Sequence, residues 1–195
     1  MESENDTRDE DFDHNEQKRI MTIGCPEAKR LKWEAKQTRK EAELLKNHER
    51  EQWFARNSSF CTRLTLRDIE QVKKENSEQR LAKFLAPFIN LKDGSKNIVE
   101  GENLFIAEGT DTVRVLIKGA AINGIKIKSI LVKPATLFDP PVNLLEEIES
   151  LRQVLTDDED QQFHVLVGEE KALSAIAGFQ ISRGALACGV VPTKN

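Results

Sequence analysis

The sequence predicts an α/β fold, a three-layer α/β/α domain with a mostly parallel sheet, and three observations carry the prediction. From Leu104 onward, short apolar runs alternate with helical segments. Val113, Leu116, Ile117, Ala120 and Ala121 fall at the i, i+3, i+4, i+7, i+8 spacing of a helix with one buried face. The runs SILV, FHVLVG and ALACGVV are almost continuously apolar, as strands covered on both faces are. Strands alternating with helices imply crossover connections and helices on both sides of a sheet.

The elements read in order. NLFIAEG, Asn103–Gly109, is a strand ending at a glycine, and the one-faced helix follows it. IKIKSILVK, Ile125–Lys133, alternates apolar and basic residues before turning wholly apolar, as a strand entering a sheet does. Asp139, Pro140 and Pro141 start a helix in which Leu145, Ile148, Leu151 and Leu155 share a face. DDEDQQ is a solvated loop, FHVLVG a strand, EEKALSAIAG a helix closed by Gly178, and GALACGVV a last strand.

The preceding hundred residues have a different character. From Gly101 to Asn195 there are nine Lys+Arg and thirteen Asp+Glu, so totals of 29 and 33 leave twenty of each before them. Residues 1–25 are predicted to be an acidic disordered tail. Residues 26–80 are predicted to be a charged helical extension, with Pro26 in its first turn. Leu31, Ala35, Ala42 and Leu45 give it only a thin apolar stripe, and no heptad persists long enough for a coiled coil. It reads as a solvated helix, or as a basic arm on RNA phosphates with Trp33 or Trp53 stacked on bases. Ile69, Val72, Leu81, Phe84, Leu85 and Phe88 recur at helical spacing, Pro87 ends that helix, and NLKDGSKN is a loop. The boundary of the folded domain, residues 81–192, is expected between Asn76 and Phe84.

Composition excludes several classes. There is no apolar run of bilayer-spanning length and no secretory signal in MESENDTRDEDFDHNE, which favours cytoplasm or nucleus and no membrane partner. Cys25, Cys61 and Cys188 are sparse and odd in number, which fits free thiols in a reducing compartment, with Cys188 a core residue. His14, His48 and His164 have no metal-ligand spacing, so no metal site is expected. His164, in an apolar strand, reads as a hydrogen-bonded structural histidine, and EEIE and DDED as acidic surface.

Glu108-Gly109 followed by TDTV opens a helix at a strand end. Unpaired N–H groups there can hold an anion such as an RNA phosphate. By residue type alone, Gly109 relieves the backbone and Thr110 or Asp111 caps the helix. Neither a Gly-x-Gly-x-x-Gly nor a P-loop is present. Arg114 and Lys118 stand i, i+4 beside the apolar face. Lys126 and Lys128 share one strand face, and Lys133 ends that strand where open α/β sheets place ligands. Five of the nine cations after Gly101 therefore lie between Arg114 and Lys133, with Glu108 and Asp111 the only nearby acidic balance in sequence. Arg183, before Gly184, is a further candidate phosphate contact.

Phe105–Gly109, Ile127–Val132 and Arg183–Ala187, in this order and spacing, resemble the substrate-binding domain that precedes the catalytic domain of SpoU-type (TrmH-type) RNA 2′-O-ribose methyltransferases. The resemblance covers roughly Leu81 to Pro192. It implies the fold of ribosomal protein L30e and recognition of structured rRNA or tRNA. Charge and position in the elements make Gly109, Thr110, Arg114, Lys118, Lys126, Lys128, Lys133 and Arg183 the candidate RNA-binding residues. Gly109-Thr110-Asp111-Thr112-Val113-Arg114 lacks the Asn-Glu pair of kink-turn readers, which disfavours that role. The family's catalytic Asn-x-Gly-x-x-x-Arg motif is absent, so this isolated chain is expected to bind RNA without methylating it. S-adenosylmethionine is expected only if a catalytic domain follows. Two alternatives stand beside this reading: the front part of an active methyltransferase, or a protein-interaction module whose N-terminal helices dock a partner.

Overall fold

The computed structural model describes residues 26–75, 80–89, 98–99, 102–155, 163–181 and 184–192. The predicted acidic tail, the NLKDGSKN and DDEDQQ loops and Arg183 lie outside the described residues. The chain divides into two compact units, Met1–Gln52 and Trp53–Asn195.

In the first unit the described residues belong to helix α1, Pro26–Arg56, whose last turn from Trp53 enters the second unit. Good helix formers and a proline at the first turn account for it, as the sequence predicts. From Glu27 to Glu49 every residue but Gln37 is exposed, so the first unit's helix has no buried stripe.

The second unit is built on one six-stranded sheet, β1 (Cys61–Leu64), β2 (Ile98–Val99), β3 (Glu102–Glu108), β4 (Ile127–Val132), β5 (His164–Gly168) and β6 (Ala185–Val190), in the order β1-β5-β4-β6-β3-β2. β1, β5 and β4 pair in parallel, whereas β6 is antiparallel to both β4 and β3, and β2 is antiparallel to β3. β1, β3, β4 and β5 consequently run in one direction and β6 and β2 against it. The last strand, inserted in the middle of the sheet, makes it mixed rather than uniformly parallel.

Helices cover both faces. On one face α4 (Thr110–Asn123), α5 (Pro134–Phe138) and α6 (Leu145–Val154) bury Val113, Ile117, Leu137, Ile148 and Leu151 against Ile130, Val132, Val165 and Ala187. On the other, α2 (Leu66–Glu75), α3 (Arg80–Leu85) and α7 (Glu170–Ala177) bury Ile69, Leu85, Leu173 and Ile176 against Leu131, Leu166 and Leu186. Alternate residues of β3, β5 and β6 thus feed opposite cores, and the apolar runs of β4, β5 and β6 are continuous because neither face meets water. α3 stops before Pro87 in a 3₁₀ turn, Ala86–Phe88, as the proline predicts. α7 ends at Gly178 with φ 78°.

Three expectations are corrected. The predicted domain boundary at Asn76–Phe84 would strip β1 from β5 and remove Ile69 and Val72 from the core, and the compact unit begins instead at Trp53. CTRL escaped notice because an edge strand with a half-exposed middle carries little hydrophobic signal. Trp53 is not available to stack on bases. It is buried against Phe54, Phe60 and Phe138, and its Nε1 donates to Glu149 Oε1 at 2.7 Å. Trp33 is 61% exposed. The helix after the prolines begins at Leu145, where the backbone N–H donates to Asn143 Oδ1, and not at Asp139.

Candidate nucleic-acid interface

The strand-to-helix turn at Glu108-Gly109 lies at the end of the sheet where β3 and β4 finish and β6 begins. Gly109 takes φ 94°, a conformation costly for any side chain, and leads directly into α4. Its N–H donates to the Ala185 carbonyl at 2.9 Å, and the Lys133 N–H donates to the Gly184 carbonyl at 2.9 Å. The three segments that carry the family resemblance are therefore neighbouring strands, β4-β6-β3, and their ends meet at one edge. Gly109, and neither Thr110 nor Asp111, is the N-cap residue of the helix.

Gly184 supports the same edge. It has φ 78°, and a Cβ there would lie 2.3 Å from the hydroxyl of buried Thr136. Only a residue without a side chain lets β6 start beside α5.

The basic residues occupy three separate places. Lys133, at the Gly109 edge, donates to Glu170 Oε2 at 2.9 Å, and Gln180 donates to the other oxygen of that carboxylate at 3.1 Å. The Lys133 ammonium first, and the Gln180 amide second, hold the Glu170 carboxyl below its ordinary range.

Arg114, on the first turns of α4, is drawn toward α6. Its Nε donates to Glu147 Oε1 at 2.7 Å, its Nη2 to the Asn143 carbonyl at 3.1 Å, and its Nη1 lies 3.5 Å from Asp111. The guanidinium thus ties α4 to the loop before α6. Lys118, one turn on, is exposed and has no carboxylate partner among the described residues.

Lys126 and Lys128 lie near the opposite end of β4, five to seven residues before Lys133, or roughly 16–23 Å along a strand. Both reach across β6 to Glu102 on β3: Lys126 Nζ lies 3.5 Å from one carboxylate oxygen, and Lys128 donates to the other. They share a face, as the sequence predicts. The register slips between Ile127 and Ser129, which lets Ile127 and Ile130 enter the same core although three residues apart. The Lys128 hydrogen bond is the main cause of a Glu102 carboxyl held below its ordinary range, against an opposing push from burial.

Asp111 supplies part of the acidic balance, at 3.5 Å from Arg114, and Glu102, Glu147 and Glu170 supply the rest. These three glutamates lie 24 to 37 residues from their cations, beyond the reach of local spacing. Arg183 lies outside the described residues.

The remaining candidate chemistry is structural. Cys61 and Cys188 are free and buried, and burial pushes both thiols up to about 12, with Arg63 opposing at Cys61 and Lys128 at Cys188. His164 is buried, with its Nε2 2.8 Å from the Thr62 hydroxyl. No cluster of His, Cys, Asp or Glu among the described residues could hold a metal ion. No helix among them is long and apolar enough to cross a membrane.

No family model matches the chain, and no curated protein matches it either. Among solved structures, an rRNA methyltransferase from Sinorhizobium meliloti is similar at TM-score 0.35 and 15% identity, over 69% of this chain and 38% of that one. An AdoMet-bound rRNA methyltransferase from the same organism gives TM-score 0.35 and 16% identity over the same shares. The chain thus spans well under half the length of the methyltransferase chains it matches.

Proposed function

We propose that residues 81–192, on the sheet completed by β1 and packed by α2, act as an L30e-like RNA-recognition domain of the SpoU-type methyltransferase kind. The domain binds structured rRNA or tRNA and performs no methyl transfer within these residues. In a complete enzyme it would position a ribose 2′-hydroxyl near the methyl donor. The observation that carries this reading is the convergence of the three family-like segments at one sheet edge, through the Gly109–Ala185 and Lys133–Gly184 hydrogen bonds.

At that edge Gly109 and Thr110 offer a helix start and Lys133 a cation, with Lys118 exposed further along α4; Arg183 keeps its proposed role from the sequence alone. Phosphate is the fitting ligand class for a helix N-terminus beside an ammonium. Lys126 and Lys128 form a second, separate contact. Arg114 contributes by fixing α4 in place. Because Lys133, Lys126 and Lys128 are each ion-paired, RNA must compete with Glu170 and Glu102, and binding is weak and salt-sensitive.

Titration of structured rRNA fragments and tRNA at several salt concentrations tests this. Lys133→Glu with Lys118→Glu should weaken binding at least about tenfold, and Lys126→Glu with Lys128→Glu by a smaller factor. Unchanged affinity in both variants removes the RNA reading. The ion pairs themselves favour a second reading, a protein-interaction module that does not bind RNA, and wild-type protein that fails to bind either RNA class at low salt decides for it.

A further inference from the structure

We propose that α1 pairs in parallel with α1 of a second copy of this chain. The inference is independent of the RNA reading and rests on charge placement along residues 27–46. Ala28, Leu31, Ala35, Thr38, Ala42 and Leu45 recur at alternating steps of three and four, the 3.5-residue period of a two-helix seam. Call these positions a and d, with alanine at each a. The flanking g positions are then Glu27, Glu34 and Glu41, and the flanking e positions are Lys32, Arg39 and Lys46. Every g is acidic and every e is basic.

That arrangement selects one partner and one orientation. In a parallel in-register pair each g faces the e′ five residues later, giving Glu27–Lys32′, Glu34–Arg39′ and Glu41–Lys46′, each twice by symmetry. An antiparallel pair sets g against g′ and e against e′, so carboxylates meet carboxylates and cations meet cations. The identical helix of a second copy is the complement of this one.

The structure leaves the surface open for it. All twelve of these residues are exposed, and Leu31 and Leu45 are 56% and 60% exposed. Glu27, Lys32, Arg39, Glu41 and Lys46 have no ion-pair partner among the described residues, and Glu34 has only Arg30 on its own helix at 3.4 Å. A helix stretch that is exposed on every face gains stability from a partner that covers one of them. Alanine at a lets the helices approach closely but buries little, so the short apolar stripe alone did not predict a coiled coil. The charges on either side of it specify the pairing.

Sedimentation equilibrium of the full chain tests the proposal. The wild type should show a concentration-dependent dimer that weakens as salt rises. Lys32→Glu/Arg39→Glu/Lys46→Glu and Glu27→Lys/Glu34→Lys/Glu41→Lys should each self-associate at least about tenfold more weakly, and their equimolar mixture should recover to within about threefold of wild type. In a Cys25→Ser background, Leu31→Cys should form a disulfide-linked dimer under mild oxidation, because a parallel seam brings position 31 against its own copy. Reversed variants that associate like the wild type overturn the proposal. So does a mixture that fails to recover, or a Leu31→Cys chain that links only to a Leu45→Cys chain.

Discussion

The phenyl ring of Phe84 lies flat on the imidazole of His164, with centroids 4.4 Å apart and planes 10° from parallel. From the edge strand, Thr62 holds the same imidazole at 2.8 Å. Next to it in the sheet, Ser129 pairs with His164 in register and donates its hydroxyl to the Phe84 carbonyl at 3.0 Å. The histidine is thus the point where β1, β5 and α3 are fastened.

Replacing His164 with Ala should therefore destabilise the domain by about 2–4 kcal/mol, through the lost stack, the cavity and the orphaned Thr62 hydroxyl. Urea unfolding measures this, with RNA affinity of the folded fraction unchanged. Full stability with lost RNA binding contradicts the structural role.

The Glu102 carboxylate draws two lysines from another strand, so its ionisation contributes to the fold. Its folded value lies below the ordinary 4.5, which means the native state binds its proton less readily than the unfolded chain. The contribution is fully present above the ordinary value and is lost as pH falls through the depressed one. Wild type should exceed Glu102→Gln by about 1 kcal/mol at neutral pH, and the gap should close on acidification below pH 4.5. A gap that persists at the lowest pH where both remain folded excludes the ion pairs as its cause.

At the Gly109 edge, Gly184→Ala should cost about 1–3 kcal/mol, because its Cβ meets the Thr136 hydroxyl and its backbone must keep φ 78°. Thr136→Ala in the same chain should return the steric part and leave the backbone part. Thermal unfolding of the single and double variants separates the two, and a fully additive pair argues against the contact.

Cys61 and Cys188 should resist thiol reagents in the native protein at neutral pH, since burial holds both thiols protonated with values about 12. In a Cys25→Ser background, a disulfide reagent should label nothing until denaturant is added, and then two thiols. Rapid labelling before unfolding means that one of these thiols reaches solvent.

Much of the second unit was legible because local period and burial agree in it. β3, α4, β4, α6, β5, α7 and β6 each announce themselves by an apolar run or a one-faced stripe, and the turn at Gly109 by a glycine between strand and helix. The elements that escaped, β1, the two-residue β2 and the five-residue α5, are too short to show a period. Trp53 was misjudged because a tryptophan on a charged helix looks exposed until the aromatic cluster of Phe54, Phe60 and Phe138 closes around it.

The sequence by itself determined the α/β class, the order of the elements and the charge register of α1, since these depend on neighbours within a turn or a strand. Only the tertiary structure decided which strands are adjacent and which cation meets which carboxylate. Glu102 finds Lys126 and Lys128, and Glu170 finds Lys133, because sheet order and crossovers bring together residues that no local spacing relates. Coulomb attraction acts over a few ångströms in space, and chain separation carries almost none of that information.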